Sequence, residues 1–123
     1  MITQNDKNYS SIIHLSGFSG CFIPFGNIIV PLVLWLVKKN ESIFIDAHGK
    51  SSVNFQLSLM FYGFLLAILL IPIAIFTLGL GIVAIIIGII PAFILYVVLI
   101  ISASINASNG EYYDYPFTIQ FIK

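Results

Sequence analysis

The chain has 123 residues, 59% of them apolar and 8% charged, with five acidic groups balancing five basic ones. A net charge of zero excludes a polybasic nucleic-acid surface, and the apolar excess lies outside the range of soluble domains. The single cysteine, Cys21, excludes an intramolecular disulfide framework.

All ten charges fall in three clusters: Asp6 and Lys7; Lys38, Lys39, Glu41, Asp46 and Lys50; and Glu111, Asp114 and Lys123. Between them run 30 and then 60 residues without a formal charge. A charge at the bilayer centre costs several kcal/mol, so exclusion on this scale points to a membrane-embedded chain.

Residues 1–9 read as a polar lead-in, followed by one membrane domain over 10–123. Segment one, about 10–37, is long enough to cross a bilayer at ~1.5 Å per residue. Pro24, Gly26, Asn27 and Pro31 interrupt it, because Pro24-Phe25-Gly26-Asn27 has turn chemistry. Two short helices, about 11–23 and 28–37, are expected in place of one span. Phe18-Ser19-Gly20-Cys21 loosely matches a lipoprotein cleavage site. The preceding run is broken by His14, Ser16 and Gly17, so Cys21 reads instead as a small residue packed in the membrane.

Segment two, about 46–76, takes Asp46 as its N-cap and carries a kinking Pro72. The uncharged turn Thr77-Leu78-Gly79-Leu80-Gly81 leads into segment three, about 82–107, with Pro91 inside. The tail, 109–123, is aromatic and polar and is expected at the membrane interface. The expected fold is thus all-α: a broken first segment packed against a long two-helix transmembrane hairpin. Counting Lys38, Lys39, Lys50 and Lys123 places the middle loop and the tail in the cytoplasm. The N-terminus lies outside if segment one crosses and inside if it is re-entrant, with a broken crossing slightly favoured.

The most polar helix entry holds the candidate interaction surface. Asp46 and Lys50 are i, i+4 partners in the favourable acid-first order. Asn54 and Ser58 continue that side, and His48, Ser52 and Gln56 form a second row. One reading is an ion- or proton-handling entrance. The preferred reading is an amphipathic entry helix whose amides bond to neighbouring helices. Asn106 joins the candidate surface from segment three, where Ala103 with Ala107, and Ala84 with Gly88, have the small-xxx-small spacing of close packing. His14 and His48 fit no metal motif and read as hydrogen-bonding groups near the headgroups. No nucleophile elbow, His-Glu-x-x-His or phosphate loop occurs, so neither enzyme nor cofactor is expected.

His14-Leu15-Ser16-Gly17, Ile23-Pro24-Phe25-Gly26-Asn27-Ile28, Pro31, Trp35-Leu36-Val37-Lys38-Lys39, the Asp46-x-His48-Gly49-Lys50-x-x-x-Asn54-Phe55-Gln56 block and Asn109-Gly110-Glu111-Tyr112-x-x-Tyr115-Pro116 resemble the small bacterial membrane proteins of the domain-of-unknown-function 4870 family. That family is distantly similar to the chloroplast protein-import component of the Tic-twenty type. The resemblance covers about residues 10–123 and implies a multi-helix protein of a bacterial cytoplasmic (inner) membrane without transferable catalytic residues. The functional expectation is a non-enzymatic accessory or scaffold subunit. Its partners would be the lipid bilayer, other membrane proteins or copies of itself, with no nucleic acid. The alternative is a small oligomeric channel or translocation component with Asn54, Gln56, Ser58 and Asn106 facing water.

Overall fold

The computed structural model describes residues 2–122, and Lys123, one of the lysines used for orientation, lies outside them. Among the described residues there are four α-helices and no strand: α1 (Gln4–Leu15), α2 (Gly26–Lys38), α3 (Ile43–Phe76) and α4 (Leu80–Ser108). A 3₁₀ segment, Ser16–Cys21, extends α1.

Helix α1 begins well inside the expected polar lead-in. Thr3 accepts from the Asp6 backbone N–H while the Asp6 carboxylate accepts from the Thr3 N–H, a reciprocal capping box that starts the helix at Gln4. Helix α3 likewise starts three residues early. The Ser42 hydroxyl accepts from the Phe44 and Ile45 N–H groups, so Ser42 and not Asp46 is the cap. The break in segment one sits at Phe22–Phe25. Phe25, not the glycine or asparagine after it, takes the left-handed conformation at φ 60°. Pro31 does not break anything: α2 runs straight through it, and the ring is buried.

Pairwise contacts fix the topology. Lys7 lies against Gly110, Ser11 bonds Ser104, and a Cβ on Gly17 would meet both Gln56 and Ile100. Helix α1 therefore descends alongside α3 and antiparallel to α4. The return helix α2 ascends, with Asn27 at Gln56 and Trp35 at Asp46 and Gly49. Segment one is consequently a hairpin and not a crossing, and the N-terminus shares an end with the middle loop and the tail. The slightly favoured broken crossing is corrected. The cause is geometric: α2 has only 13 residues, and the reversal at Phe25 turns it back on α1.

The nine described charges gather at this one end. Lys38 lies over the Tyr9 ring at 4.8 Å and 4.0 Å from Glu41. Lys39 covers Trp35 at 5.1 Å, and Asp46 pairs with Lys50 at 3.1 Å. Lys50 and Asp114 line one polar cavity of about 530 Å³. From this charged pole the α3–α4 hairpin runs on alone. Between Met60 and Val98 almost every side chain is exposed, and Ala74 is buried only where Gly81 closes the turn.

The core lies in the charged half. Phe55, Ile100, Ala103 and Tyr115 form its centre, with Phe18, Leu59, Tyr96, Leu99 and Tyr113 packed around them. Ala103 and Ala107 are fully buried and provide the close approach that their spacing suggests. Ala84 and Gly88 do not: Ala84 is exposed and a Cβ on Gly88 meets open space.

Candidate functional site

The tail is the element that organises the polar half of α3. It is not a belt lying free at an interface. It descends along α3 to Phe117 (φ 60°), reverses, and returns. Ser51 donates to Tyr113 O at 2.9 Å, and Tyr62 donates to Phe117 O. On the returning arm Ser58 accepts from the Ile119 N–H at 2.7 Å and donates to the Ile119 carbonyl at 3.2 Å. Asn54 accepts from the Ile122 N–H at 2.8 Å and donates to its carbonyl at 2.9 Å. Residues 51, 54, 58 and 62 recur at helical spacing, so one face of α3 reads the tail's main chain and satisfies backbone groups that have no sheet or helix of their own.

Above this strap lies a buried chain of four groups. Tyr115 Oη is 2.7 Å from His14 Nδ1, His14 Nε2 is 2.7 Å from His48 Nδ1, and His48 Nε2 is 2.9 Å from the Glu111 carbonyl oxygen. The proton positions follow from its end. A carbonyl can only accept, so His48 Nε2 carries a proton and, in the neutral ring, Nδ1 is bare. His14 Nε2 must then donate to it, which leaves His14 Nδ1 to accept from the tyrosine hydroxyl. One direction of donation, with both rings neutral, satisfies all four groups. Both histidines are buried at 1% exposure or less, and burial together with the neighbouring His48 lowers the His14 pKa to about 3. Burial likewise raises the Tyr115 phenol well above its ordinary 10. The tyrosine ring is stacked on Phe55, with centroids 3.9 Å apart.

The structure divides the candidate residues into three groups. Asp46 and Lys50 pair at the pole, and Asp46 also accepts from Trp35 Nε1 at 2.8 Å. His48 belongs to the buried relay, and Asn54 and Ser58 to the strap. Gln56 is 1% exposed and accepts from Asn27 at 3.2 Å, with the Tyr96 hydroxyl 3.0 Å away. Asn106 contributes its carbonyl, which takes the Glu111 N–H at 2.8 Å and ends α4. The residues expected to face water in a channel are therefore turned inward: Asn54, Gln56 and Ser58 are each at most 4% exposed and already bonded within the chain. Pro24 lies in the break, Gly26 starts α2 against Ser19, and Asn27 reaches α3. The sequence did not indicate that His14 meets His48 across 34 positions, nor that Tyr115 joins them. The available signal was His14 alone, set between Ile12-Ile13 and Leu15, where an imidazole needs a partner.

Among the described residues no three histidine, cysteine or acidic side chains lie close enough together to hold a metal ion. Cys21 is exposed at the tip of the α1–α2 hairpin and not packed in the interior.

Comparison with known families gives one match. The model of the MamF/MmsF family, described as the magnetosome magnetite crystal formation protein family, matches residues 5–122. No curated protein and no solved structure matches the chain. The family match corrects the resemblance to the domain-of-unknown-function 4870 and Tic-twenty proteins. The blocks that carried that resemblance are short pieces, each weak alone, whereas this match weighs residues 5–122 together.

Proposed function

Because this chain belongs to the MamF/MmsF magnetosome magnetite crystal formation family, we propose that it is a non-enzymatic accessory subunit embedded in the membrane around a growing magnetite crystal. The carrying observation is the separation of its two halves. Nine charges collect at one pole, while 34- and 29-residue helices, with mean hydropathies of 2.6 and 3.1 in their most apolar windows, extend from it with their side chains outward. Residues 59–76 alone give ~27 Å of helix, close to the ~30 Å of a hydrocarbon core.

In this reading α3 and α4 cross the bilayer and the turn at Thr77–Gly81 reaches the far interface. The middle loop, tail and N-terminus share the near face. Lys7, Lys38, Lys39 and Lys50 support a cytoplasmic position for that face, since the far turn has no basic residue. The folded pole serves as a fixed platform for other membrane proteins, and the relay and strap hold its shape.

Support for an accessory role comes from the polar groups themselves. His48, Asn54 and Ser58 of α3 are occupied by hydrogen bonds to the main chain of the tail. The test is deletion of the gene and complementation in a magnetite-forming cell. Altered crystal size or number, restored by wild type and equally by a chain with Cys21→Ser, Ser11→Ala and Ser51→Ala, supports the accessory role. Crystals unchanged on deletion, in a strain without a second family member, would overturn it.

A further inference from the structure

The chain has unequal cross-sections at the two faces of the bilayer. Beyond Tyr62 on α3 and Ala92 on α4, toward the far turn, the cross-section contains two helices. At the level of the core it contains α1, α2, α3, α4 and both arms of the tail strap. The outer surface of this thick half is not polar. Ile12, Leu15, Ile29, Val33, Leu36 and Val37 are exposed along the α1–α2 hairpin. Its tip presents Phe22 at 87% exposure, Ile23 at 55% and Phe25 at 62%.

The direction of that tip matters. Helix α1 descends from the charged pole and α2 climbs back to it, so Phe22–Phe25 point along the hairpin toward the bilayer centre. Gly17 and Asn27, which flank the tip, lie level with Gln56. With the far turn at one interface, Gln56 stands near the opposite edge of a ~30 Å hydrocarbon layer, some 20 residues away at ~1.5 Å each. Apolar side chains at this depth are seated at the boundary of headgroups and acyl chains, where shallow amphipathic elements bind lipid in a curvature-sensitive way. Lys38 and Lys39 close α2 on the headgroup side, with their ammonium groups over the Tyr9 and Trp35 rings, and add positive charge to the pole that meets the anionic headgroups.

We propose that the chain is a bilayer wedge, which occupies more area in the leaflet at its charged pole than in the opposite leaflet and thereby favours membrane that is convex toward that pole. The inference rests on the membrane reading above and adds the partner: a strongly curved lipid surface containing anionic lipid. Splitting the near headgroups apart without a matching insertion on the far side leaves a relaxed state only in a bent bilayer.

The experiment is one-sided insertion followed by tube pulling. The full chain, with a dye at its N-terminal amine, is synthesised cell-free in the presence of giant vesicles of phosphatidylcholine and phosphatidylglycerol. The charged pole then stays outside, since no charge has to cross. A tube drawn outward is convex on that side. Wild type should be denser on the tube than on the parent vesicle by about twofold or more. The triple variant Phe22→Ser, Ile23→Ser, Phe25→Asn, which alters only exposed tip residues and keeps at position 25 a residue that tolerates positive φ, should approach equal density. Equal densities for wild type, or undiminished enrichment of a variant with a native helical spectrum, would overturn the wedge. Alkaline carbonate separates the two readings: a resistant chain without tube preference defeats the wedge alone, and an extractable chain defeats the membrane reading as well.

Discussion

His14 Nε2 lies 2.7 Å from His48 Nδ1, and this single contact joins α1 to α3 where no charge or backbone pairing does so. Both rings are held neutral: one is bonded to a carbonyl and the other to a hydroxyl, and neither can gain a proton without losing an acceptor. Acid should therefore open the fold at the charged pole. In the unfolded chain His14 binds a proton below its ordinary pKa of 6.5, while in the folded chain it resists protonation until about 3. The unfolded state holds more protons throughout that window, so stability is complete above 6.5 and falls as pH drops toward 3. At about pH 5 the loss from His14 is roughly 2 kcal/mol. Thermal melts in detergent at neutral and acid pH measure it, and His14→Gln should flatten the dependence while lowering the neutral-pH melting point.

Gly49 is held by the Trp35 ring. A Cβ on residue 49 would overlap the indole carbons, and Trp35 is held in place by the hydrogen bond its Nε1–H donates to Asp46. Gly49→Ala should thus cost about 1–3 kcal/mol through overpacking and force α2 away from α3. Gly63→Ala, whose Cβ meets open space, should leave stability unchanged or slightly raised, since alanine is the better helix former. Equal effects of the two substitutions on the melting temperature would contradict this account of the interface.

The strap gives a residue-specific readout. Asn54 and Ser58 each hold both the N–H and the C=O of one tail residue, so substitution exposes identifiable amides. Asn54→Leu should abolish hydrogen-exchange protection at Ile122 while Ile119 keeps most of its own. Ser58→Ala should do the reverse. Each unpairs a part-buried N–H and C=O, at a cost of about 1 kcal/mol. The same variants provide a test of the channel alternative, which needs these side chains in water. Conductance in planar bilayers that disappears with Asn54→Leu would restore it.

Much of this architecture was readable from residue order, and the failures have a common cause. Runs of 30 and 60 uncharged residues located the hairpin, and the TLGLG turn located its far end. The break after Pro24 was visible because proline and glycine act on their own backbone. What could not be read was how two uncharged helices orient once the chain has broken. A crossing and a hairpin use the same apolar residues, and the deciding contacts, such as Asn27 with Gln56 and Tyr9 with Leu34 O, join positions 25 or more apart. The tail misled for a related reason. Tyr112, Tyr113, Tyr115 and Phe117 have the composition of an interfacial belt, yet Tyr115 is buried because His14 and Phe55 offer its hydroxyl and its ring complementary partners. The residues grouped as one candidate interaction surface, Asp46, His48, Lys50, Asn54, Gln56, Ser58 and Asn106, do not form one in the fold, where His48, Asn54, Gln56 and Ser58 are buried. They divide in space because the tail and α1 compete for different faces of the same turns.

Tyr115 allows the relay and the packing to be separated by one oxygen atom. Tyr115→Phe keeps the ring on Phe55 and removes the hydroxyl that donates to His14 Nδ1. The buried nitrogen is then unpaired, for which about 1–3 kcal/mol is the ordinary cost. Tyr115→Ala removes the ring as well and should cost ~3–5 kcal/mol, in line with other buried aromatics. The tautomers provide a second, independent readout. In wild type both imidazoles should be protonated at Nε2 only, as the Glu111 carbonyl requires of His48 and as His48 in turn requires of His14. Nitrogen chemical shifts from labelled histidine distinguish that state from the Nδ1–H form. Loss of the hydroxyl should shift the His14 Nδ1 resonance toward that of a non-hydrogen-bonded nitrogen and leave the His48 tautomer unchanged. An Nδ1–H signal from either ring in wild type would reverse the direction of donation, and with it the assignment of Tyr115 as the group that starts the chain.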